Sequence, residues 1–164
     1  MQKPASPLIP LGWLALVVLL DQWSKALVME HFTLYELRPV IPGLFNLTHL
    51  TNTGAAFGML AGAQTTWRQL FFVGVAVVAL GVMIFSFKHF RSQSRLYIHA
   101  LGLIAGGAVG NLIDRVRFGA VVDFLDFYVG SHHWPAFNVA DSAITVGVGL
   151  FLLASWLAPE ENAI

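Results

Sequence analysis

Residues 11–29 read LGWLALVVLLDQWSKALVM, an apolar run with polar residues only in its second half. A helix needs roughly 20 mostly apolar residues to cross the hydrocarbon core of a bilayer. The run is long enough, and no small-residue cleavage site of the kind that ends a secretory signal peptide follows it. We therefore interpret it as a transmembrane helix rather than as a removable leader.

Three further apolar stretches, at about 69–87, 96–113 and 139–158, are also long enough to span a membrane. The composition agrees, because 57% of the 164 residues are hydrophobic and only 11% are charged, against about 25% charged in a soluble domain. We predict an all-α integral membrane protein with four transmembrane helices, forming a single membrane domain over residues 1–164. Disorder is excluded, since it requires low hydrophobicity and high charge.

The nine basic residues are balanced by nine acidic ones, so no basic field exists to hold nucleic acid. The chain has no cysteine, which excludes disulfides, cysteine-based metal sites and thiol nucleophiles. No HExxH or Walker-type motif is present, so the sequence predicts neither a zinc protease nor an ATP-binding protein.

The link between the second and third spans, KHFRSQSR at 88–95, carries basic residues and no acid. The positive-inside rule places such a link in the cytoplasm. Both termini then lie in the cytoplasm, and the segments 30–67 and 114–138 face outward. The first outward segment contains Pro39, Pro42 and Gly43 among short mixed runs, which predicts a small strand-containing flap at the membrane surface.

Small and polar residues mark the interior of the third span. Gly102, Gly106 and Gly110 recur every four residues, a spacing that lets helix backbones approach closely in lipid. Asn111 and Arg115 follow on one helix face. A phospholipid head group, Asp114 and another carboxylate are all candidate partners for Arg115, and we favour a structural or positioning role.

Charged residues inside a membrane helix are costly and need a partner or a function. Asp21 and Lys25 are four residues apart and share one face of the first helix. An internal ion pair is the simplest interpretation, with a direct chemical role as the alternative.

Asp123 and Asp141 lie at the same membrane level in this topology, one after the third span and one in the first turn of the fourth. Two adjacent carboxylates cannot both ionise easily and so share a proton, which is the arrangement of an aspartic protease. The sequence leaves two alternatives open. Each aspartate could cap a helix end, or the pair could couple ions. Asp126 is interpreted as a solvated charge, and His132 and His133 as surface residues.

Five blocks in this order resemble the bacterial lipoprotein signal peptidases, also called signal peptidase II. They are LDQWSK at 20–25, NTGAAFG at 52–58, GGAVGNLIDR at 106–115, VVDF at 121–124 and FNVADSAITVG at 137–147. The blocks extend over most of the chain, and NTGAAFG together with FNVADS is highly specific.

The resemblance implies an aspartic endopeptidase of the bacterial inner membrane, with four helices and its active site near the periplasmic face. Such an enzyme removes the signal peptide of a diacylglyceryl-modified prolipoprotein, cleaving before the lipidated cysteine. It lies among membrane phospholipids and uses no metal or organic cofactor. Globomycin-type peptides inhibit it by occupying the dyad. We expect this protein to be a monomer.

By motif position, the resemblance implies that Asp123 and Asp141 are the catalytic pair. Further motif positions would support the dyad or contact substrate: Asp21, Lys25, Asn52, Gly54, Asn111, Arg115, Asn138 and Ala140. We expect Asn52 to hydrogen-bond the peptide backbone of the substrate and Gly54 to permit its close approach.

Three other functions are less consistent with the sequence. A proton-coupled transporter needs acidic groups that reach both membrane faces, whereas the inner halves of these spans are almost free of acids. A non-enzymatic scaffold explains the glycines but not the intramembrane aspartates. A presenilin-like protease carries a GxGD block, which is absent here.

Overall fold

The computed structural model describes residues 6–54, 62 and 65–157. These residues form four helices: α1 (Leu8–His31), α2 (Thr66–Phe90), α3 (Arg95–Phe118) and α4 (Val139–Leu157). All four are long and apolar enough to cross a membrane, which confirms the predicted fold class. Residues 55–58 of the NTGAAFG block and the two chain ends, 1–5 and 158–164, lie outside the described residues.

Helix α3 is the centre of the bundle, and its glycines explain why. A Cβ on Gly106 would lie 2.8 Å from the Cβ of Val17 on α1, and one on Gly110 would lie 2.6 Å from Oδ2 of Asp21. On the opposite side, a Cβ on Gly107 would collide with the carbonyl oxygen of Ala140 on α4. The small-residue stripe therefore brings α1 and α4 against α3, as its spacing predicts.

Each of the first three helices is longer than the apolar run that predicts it. The difference matters most in α3, which continues past Ile113 to Phe118 and takes Asp114 and Arg115 into regular helix. It ends at Gly119, whose φ of 72° is the left-handed conformation that glycine adopts readily. Apolar composition sets only the part of a helix in hydrocarbon, so the polar outer turns extend beyond it.

Four strands form one sheet in the order β1 (Leu37–Ile41), β2 (Phe45–Asn52), β3 (Val121–Val129) and β4 (His132–His133). The first two strands confirm the predicted flap. No strand is predicted from the sequence in the second outward segment, but this segment supplies β3, which pairs antiparallel with β2. The sheet thus joins both outward segments, and it carries Asp123 on β3 towards the start of α4.

Candidate active site

Asp123 on β3 and Asp141 in the first turn of α4 line the same cavity, which has a volume of about 590 Å³. The juxtaposition that the sequence leaves open is therefore present in the fold. Asn52, Asn111 and Arg115 line the cavity as well. Its remaining wall is mostly apolar and comes from three segments: Val121 of β3, residues 134–137, and Ser142, Ile144, Thr145 and Val146 of α4.

Asp141 also caps its own helix, as the alternative interpretation predicts. The Asp141 backbone N–H donates to Oδ1 of Asn138 at 2.9 Å, and the Asn138 N–H donates to Oδ2 of Asp141 at 3.3 Å. This reciprocal pair is a capping box. Capping occupies one carboxylate oxygen only, and Oδ1 accepts a hydrogen bond from Nδ2 of Asn111 at 2.8 Å. The cap and a place on the cavity wall are thus compatible.

Asp123 is 4% exposed. Its Oδ1 accepts a hydrogen bond of 2.7 Å from Nδ2 of Asn138, and its carboxylate also bonds the side chain of Asn52. The pKa of Asp123 is raised from 3.8 to about 7, chiefly because the carboxyl is buried and secondly because of the negative charge of Asp141. The two amide donors and the positive charge of Lys25 act in the opposite direction. Near neutral pH this carboxyl therefore keeps a proton for much of the time.

The Asp21–Lys25 ion pair predicted from the sequence is present, and it has a third member. Lys25 Nζ lies 2.8 Å from Oδ2 of Asp21 and 2.7 Å from Oδ2 of Asp114, with all three side chains at most 1% exposed. Its remaining proton goes to Oδ1 of Asn111 at 3.0 Å. We call Asp21, Lys25 and Asp114 the buried triad.

Asn111 links the buried triad to the cavity. Its Oδ1 accepts from Lys25 and, at 3.2 Å, from Nδ2 of Asn138, which leaves its Nδ2 to donate to Asp141. Because Lys25 can only donate, it fixes which end of the Asn111 amide faces Asp141.

Among the described residues, neither Asp114 nor another carboxylate lies at ion-pair distance from Arg115. Its Nη2 donates to the carbonyl oxygen of Gly54 at 2.9 Å, and its guanidinium carbon lies 5.1 Å from the ring centre of Phe72. Gly54 in turn donates its N–H to Oδ1 of Asn52 at 2.9 Å. Arg115, Gly54 and Asn52 therefore connect the end of β2 to α3 at the cavity.

Ala140 is fully buried, and its backbone N–H donates to Oδ1 of Asp21 at 2.9 Å. Its small side chain faces Gly110 across the α3–α4 contact. It thus joins α4 to the buried triad through its backbone.

The expectation for Asp126 is wrong. Asp126 is 6% exposed, with Oδ2 accepting from Nδ2 of Asn46 at 2.7 Å and Oδ1 lying 2.8 Å from Nδ1 of His133. His132 and His133 are exposed, as predicted, although His133 is bound to Asp126. Asn46 belongs to β2, so only the unpredicted β2–β3 pairing covers this carboxylate.

Two further contributors are not assigned to the site from the sequence: Asp114, which is considered there only as a partner of Arg115, and Gln22. Gln22 Nε2 donates to Oδ1 of Asp114 at 2.9 Å. The available signal was an intramembrane lysine at the level of two intramembrane acids. Over residues 6–54, 62 and 65–157, no group of three or more acidic or histidine side chains has the arrangement of a metal site.

The family described as signal peptidase (SPase) II matches residues 13–157. The chain belongs to this family. A lipoprotein signal peptidase of Syntrophus aciditrophicus is 49% identical over 147 residues, covering 90% of this chain and 91% of the relative. A second relative with that name, from Cupriavidus taiwanensis, is 52% identical over 154 residues, which is 92% of this chain and 86% of the relative.

A solved structure described as a bacterial membrane enzyme, determined by the in meso method at 2.3 Å resolution, superposes with a TM-score of 0.84. It is 32% identical in sequence, and the match covers 100% of this chain and 99% of that one. The two chains therefore share the same overall fold.

Proposed function

We propose that the protein is an aspartic endopeptidase that removes the signal peptide from diacylglyceryl-modified prolipoproteins, cleaving before the lipidated cysteine. Membership of the signal peptidase II family supports the protease class and the prolipoprotein substrate. The observation that carries the aspartic mechanism is that Asp123 and Asp141 line one cavity.

We assign different roles to the two acids from their surroundings. The raised pKa of Asp123 makes it the group that holds the shared proton. Asp141, which accepts hydrogen bonds from Asn111 and from the Asn138 backbone, is the ionised member. Asp141 removes a proton from water as the water oxygen attacks the carbonyl carbon, while Asp123 donates its proton to the carbonyl oxygen. In the second step Asp141 returns the proton to the leaving nitrogen, and Asp123 recovers its own proton as the carbonyl re-forms.

The neighbouring residues hold this geometry. Asn138 and Asn52 keep the Asp123 carboxyl in place, and Asn111 orients Asp141 under the control of Lys25. Arg115, through Gly54, keeps the Asn52 segment at the cavity. Because Asn52 binds Asp123 and Gly54, we assign it to the support of the dyad as well as to the backbone of the bound peptide.

The apolar wall fits a substrate that is itself a membrane helix with an acylated end. Ile144 and Val146 follow Asp141 on α4 and give the cavity wall an apolar surface that suits acyl chains. We place the protein in the bacterial inner membrane as a single membrane domain, with both termini cytoplasmic and the cavity near the periplasmic face. It acts as a monomer among phospholipids, and globomycin-type peptides bind across the dyad.

The test is cleavage by the purified protein of a diacylglyceryl-modified prolipoprotein peptide, with products identified by mass. The lipidated peptide is expected to be cut directly before the cysteine, and the unlipidated peptide is not. Globomycin is expected to block the reaction. Full activity of either Asp123→Asn or Asp141→Asn would contradict the aspartic mechanism, whereas equal cleavage of unlipidated peptide would contradict only the substrate assignment.

A further inference from the structure

The two acids of the buried triad each bind the backbone next to a dyad aspartate. Asp114 Oδ2 accepts a hydrogen bond of 3.1 Å from the N–H of Val122, the residue before Asp123. Asp21 Oδ1 accepts one of 2.9 Å from the N–H of Ala140, the residue before Asp141. One acid therefore holds β3 and the other holds the start of α4.

Two side chains of α1 connect these acids to each other. Lys25 Nζ lies within ion-pair distance of both carboxylates. Gln22 Nε2 donates to Oδ1 of Asp114 at 2.9 Å and approaches Oδ2 of Asp21 at 3.2 Å. The path from Val122 to Ala140 through Lys25 is buried throughout, the Gln22 contacts beside it are partly buried, and none of these four side chains lines the cavity.

Charge balance alone does not explain the second acid. One carboxylate is enough to neutralise Lys25, and each further buried charge carries a desolvation cost of several kcal/mol in an apolar interior. The extra acid is compensated by its contacts with Val122 N–H and Gln22, which place it between α1, α3 and β3. The contact with Val122 ties Asp114 to the backbone of β3, the strand that carries Asp123.

We propose that Asp114, Asp21, Lys25 and Gln22 form a spacer that sets the separation of the Asp123 and Asp141 carboxylates, with Asp114 as the positioning residue for Asp123. This inference rests on the proposed function, since it concerns the geometry of the same dyad. A displacement of about 1 Å at a reacting group can cost roughly 100-fold in rate. The spacer therefore acts on kcat and leaves substrate binding unchanged.

The decisive variant is Asp114→Glu, which keeps the negative charge for Lys25 but lengthens the side chain by one methylene. If Asp114 only neutralises Lys25, kcat stays at the wild-type value. If it positions β3, kcat falls by at least about tenfold while KM stays within about twofold. Asp126→Glu is the matched control, because it lengthens a different buried aspartate, on β3 itself, whose carboxylate contacts neither Val122 nor Ala140. This control is expected to keep wild-type kcat.

Gln22→Met provides a second test of the spacer, and it does not alter any buried charge. Methionine has a similar length and no donor, so it removes the bridge between Asp114 and Asp21 while filling the space. We expect kcat to fall several-fold with KM close to wild type, and a lowered thermal unfolding midpoint because Asp114 loses a hydrogen-bond donor. If Asp114→Glu does not accumulate, this variant decides the question.

Wild-type kcat in Asp114→Glu overturns the inference. If Asp114→Glu does not accumulate, wild-type kcat in Gln22→Met overturns it instead. A loss of kcat in Asp126→Glu equal to that in the spacer variant also overturns it. These results differ from a failure of the proposed function, which would appear as retained activity in Asp123→Asn or Asp141→Asn whatever the spacer variants do.

Discussion

Strand β3 carries two buried aspartates three residues apart, and they have opposite surroundings. Asp123 and Asp126 are 4% and 6% exposed, respectively. Side chains alternate between the faces of a strand, so an odd spacing places these two on opposite faces. Asp123 lines the cavity, where burial and the charge of Asp141 raise its pKa. Asp126 is bound by Asn46 and His133 on the other side of the sheet.

The comparison shows that burial does not by itself make a carboxylate chemically active. Both oxygens of Asp126 have a partner. Asp123 instead has a second carboxylate as its neighbour and an open cavity in front of it. The open space and the like charge, rather than the residue type, distinguish a candidate catalytic acid from a structural one.

The largest expected difference between the two sites is in turnover. Asp123→Asn removes the proton donor and should lower kcat by roughly 10²–10⁴-fold, the usual contribution of a positioned acid or base. Asp126→Asn keeps the shape and one acceptor oxygen, so kcat should stay within about threefold. Cleavage rates with the lipidated peptide measure both. A comparable loss of kcat in the two variants would contradict a catalytic role specific to Asp123.

A second large effect is expected in stability, at the buried triad. Lys25→Met leaves Asp21 and Asp114 buried without their cation, and breaking a buried ion pair in this way costs about 3–5 kcal/mol. Thermal unfolding in detergent should show a strongly lowered midpoint or failure to accumulate. His133→Met, which removes the half-exposed partner of Asp126, is the matched control and should shift the midpoint far less. A similar midpoint shift in both variants would contradict the importance of the triad.

The sequence predicts the parts of this molecule that depend on local pattern. Apolar run length identifies all four helices, and the four-residue spacing identifies the Asp21–Lys25 pair. It cannot predict contacts between distant segments. The error at Asp126 follows from this, because Asn46 covers the carboxylate only after β2 and β3 pair.

Asp114 and the dyad show the same limit at the candidate site. The third member of the triad is found only when α3 is packed against α1, which needs the glycine contacts as well as the charges. For the dyad, residue types alone left capping and catalysis as equal alternatives, and the motif resemblance favoured catalysis. The fold explains the ambiguity, since Asp141 is both a capping residue and part of the cavity wall.

The raised pKa of Asp123 predicts how activity depends on pH. A carboxyl with a pKa of about 7 is protonated below that pH and loses the proton above it. Because the mechanism needs one proton on the pair, kcat/KM should fall as pH rises through about 7. The Asp126→Asn variant should show the same alkaline limb. If the alkaline limb shifts in Asp126→Asn, the titrating group is Asp126 and not Asp123.

The same shift acts on stability, with a defined sign. An aspartate in the unfolded chain has a pKa of about 3.9, so between about pH 4 and 7 the folded protein binds the extra proton. Asp123 therefore makes the fold less stable as pH rises through this window. Asp123→Asn should remove that contribution, raising its thermal midpoint relative to wild type at pH 8 more than at pH 5. The opposite trend would contradict a raised pKa.

A smaller effect is expected from Asn52→Ala. Asn52 donates a hydrogen bond that favours the charged form of Asp123, so its removal should raise the pKa of Asp123 and move the alkaline limb of kcat/KM to higher pH. Because the loss removes one hydrogen bond, kcat should fall by about tenfold or less. Thr51→Ala, the neighbouring exposed position on β2, is the control. Unchanged turnover and an unchanged limb in Asn52→Ala would remove Asn52 from the dyad.

The smallest effect is expected at the far end of β3, from His133→Gln. His133 Nδ1 lies 2.8 Å from Asp126 and its ring stacks on Tyr128 with the ring centres 4.9 Å apart. Glutamine keeps a donor for Asp126 but loses the stacking, and because His133 is about half exposed the loss should be about 1 kcal/mol or less. Thermal unfolding should show a shift of only a few degrees, with kcat unchanged. A drop in kcat here would mean that the two faces of β3 are coupled, and Asp126 would then belong to the functional site after all.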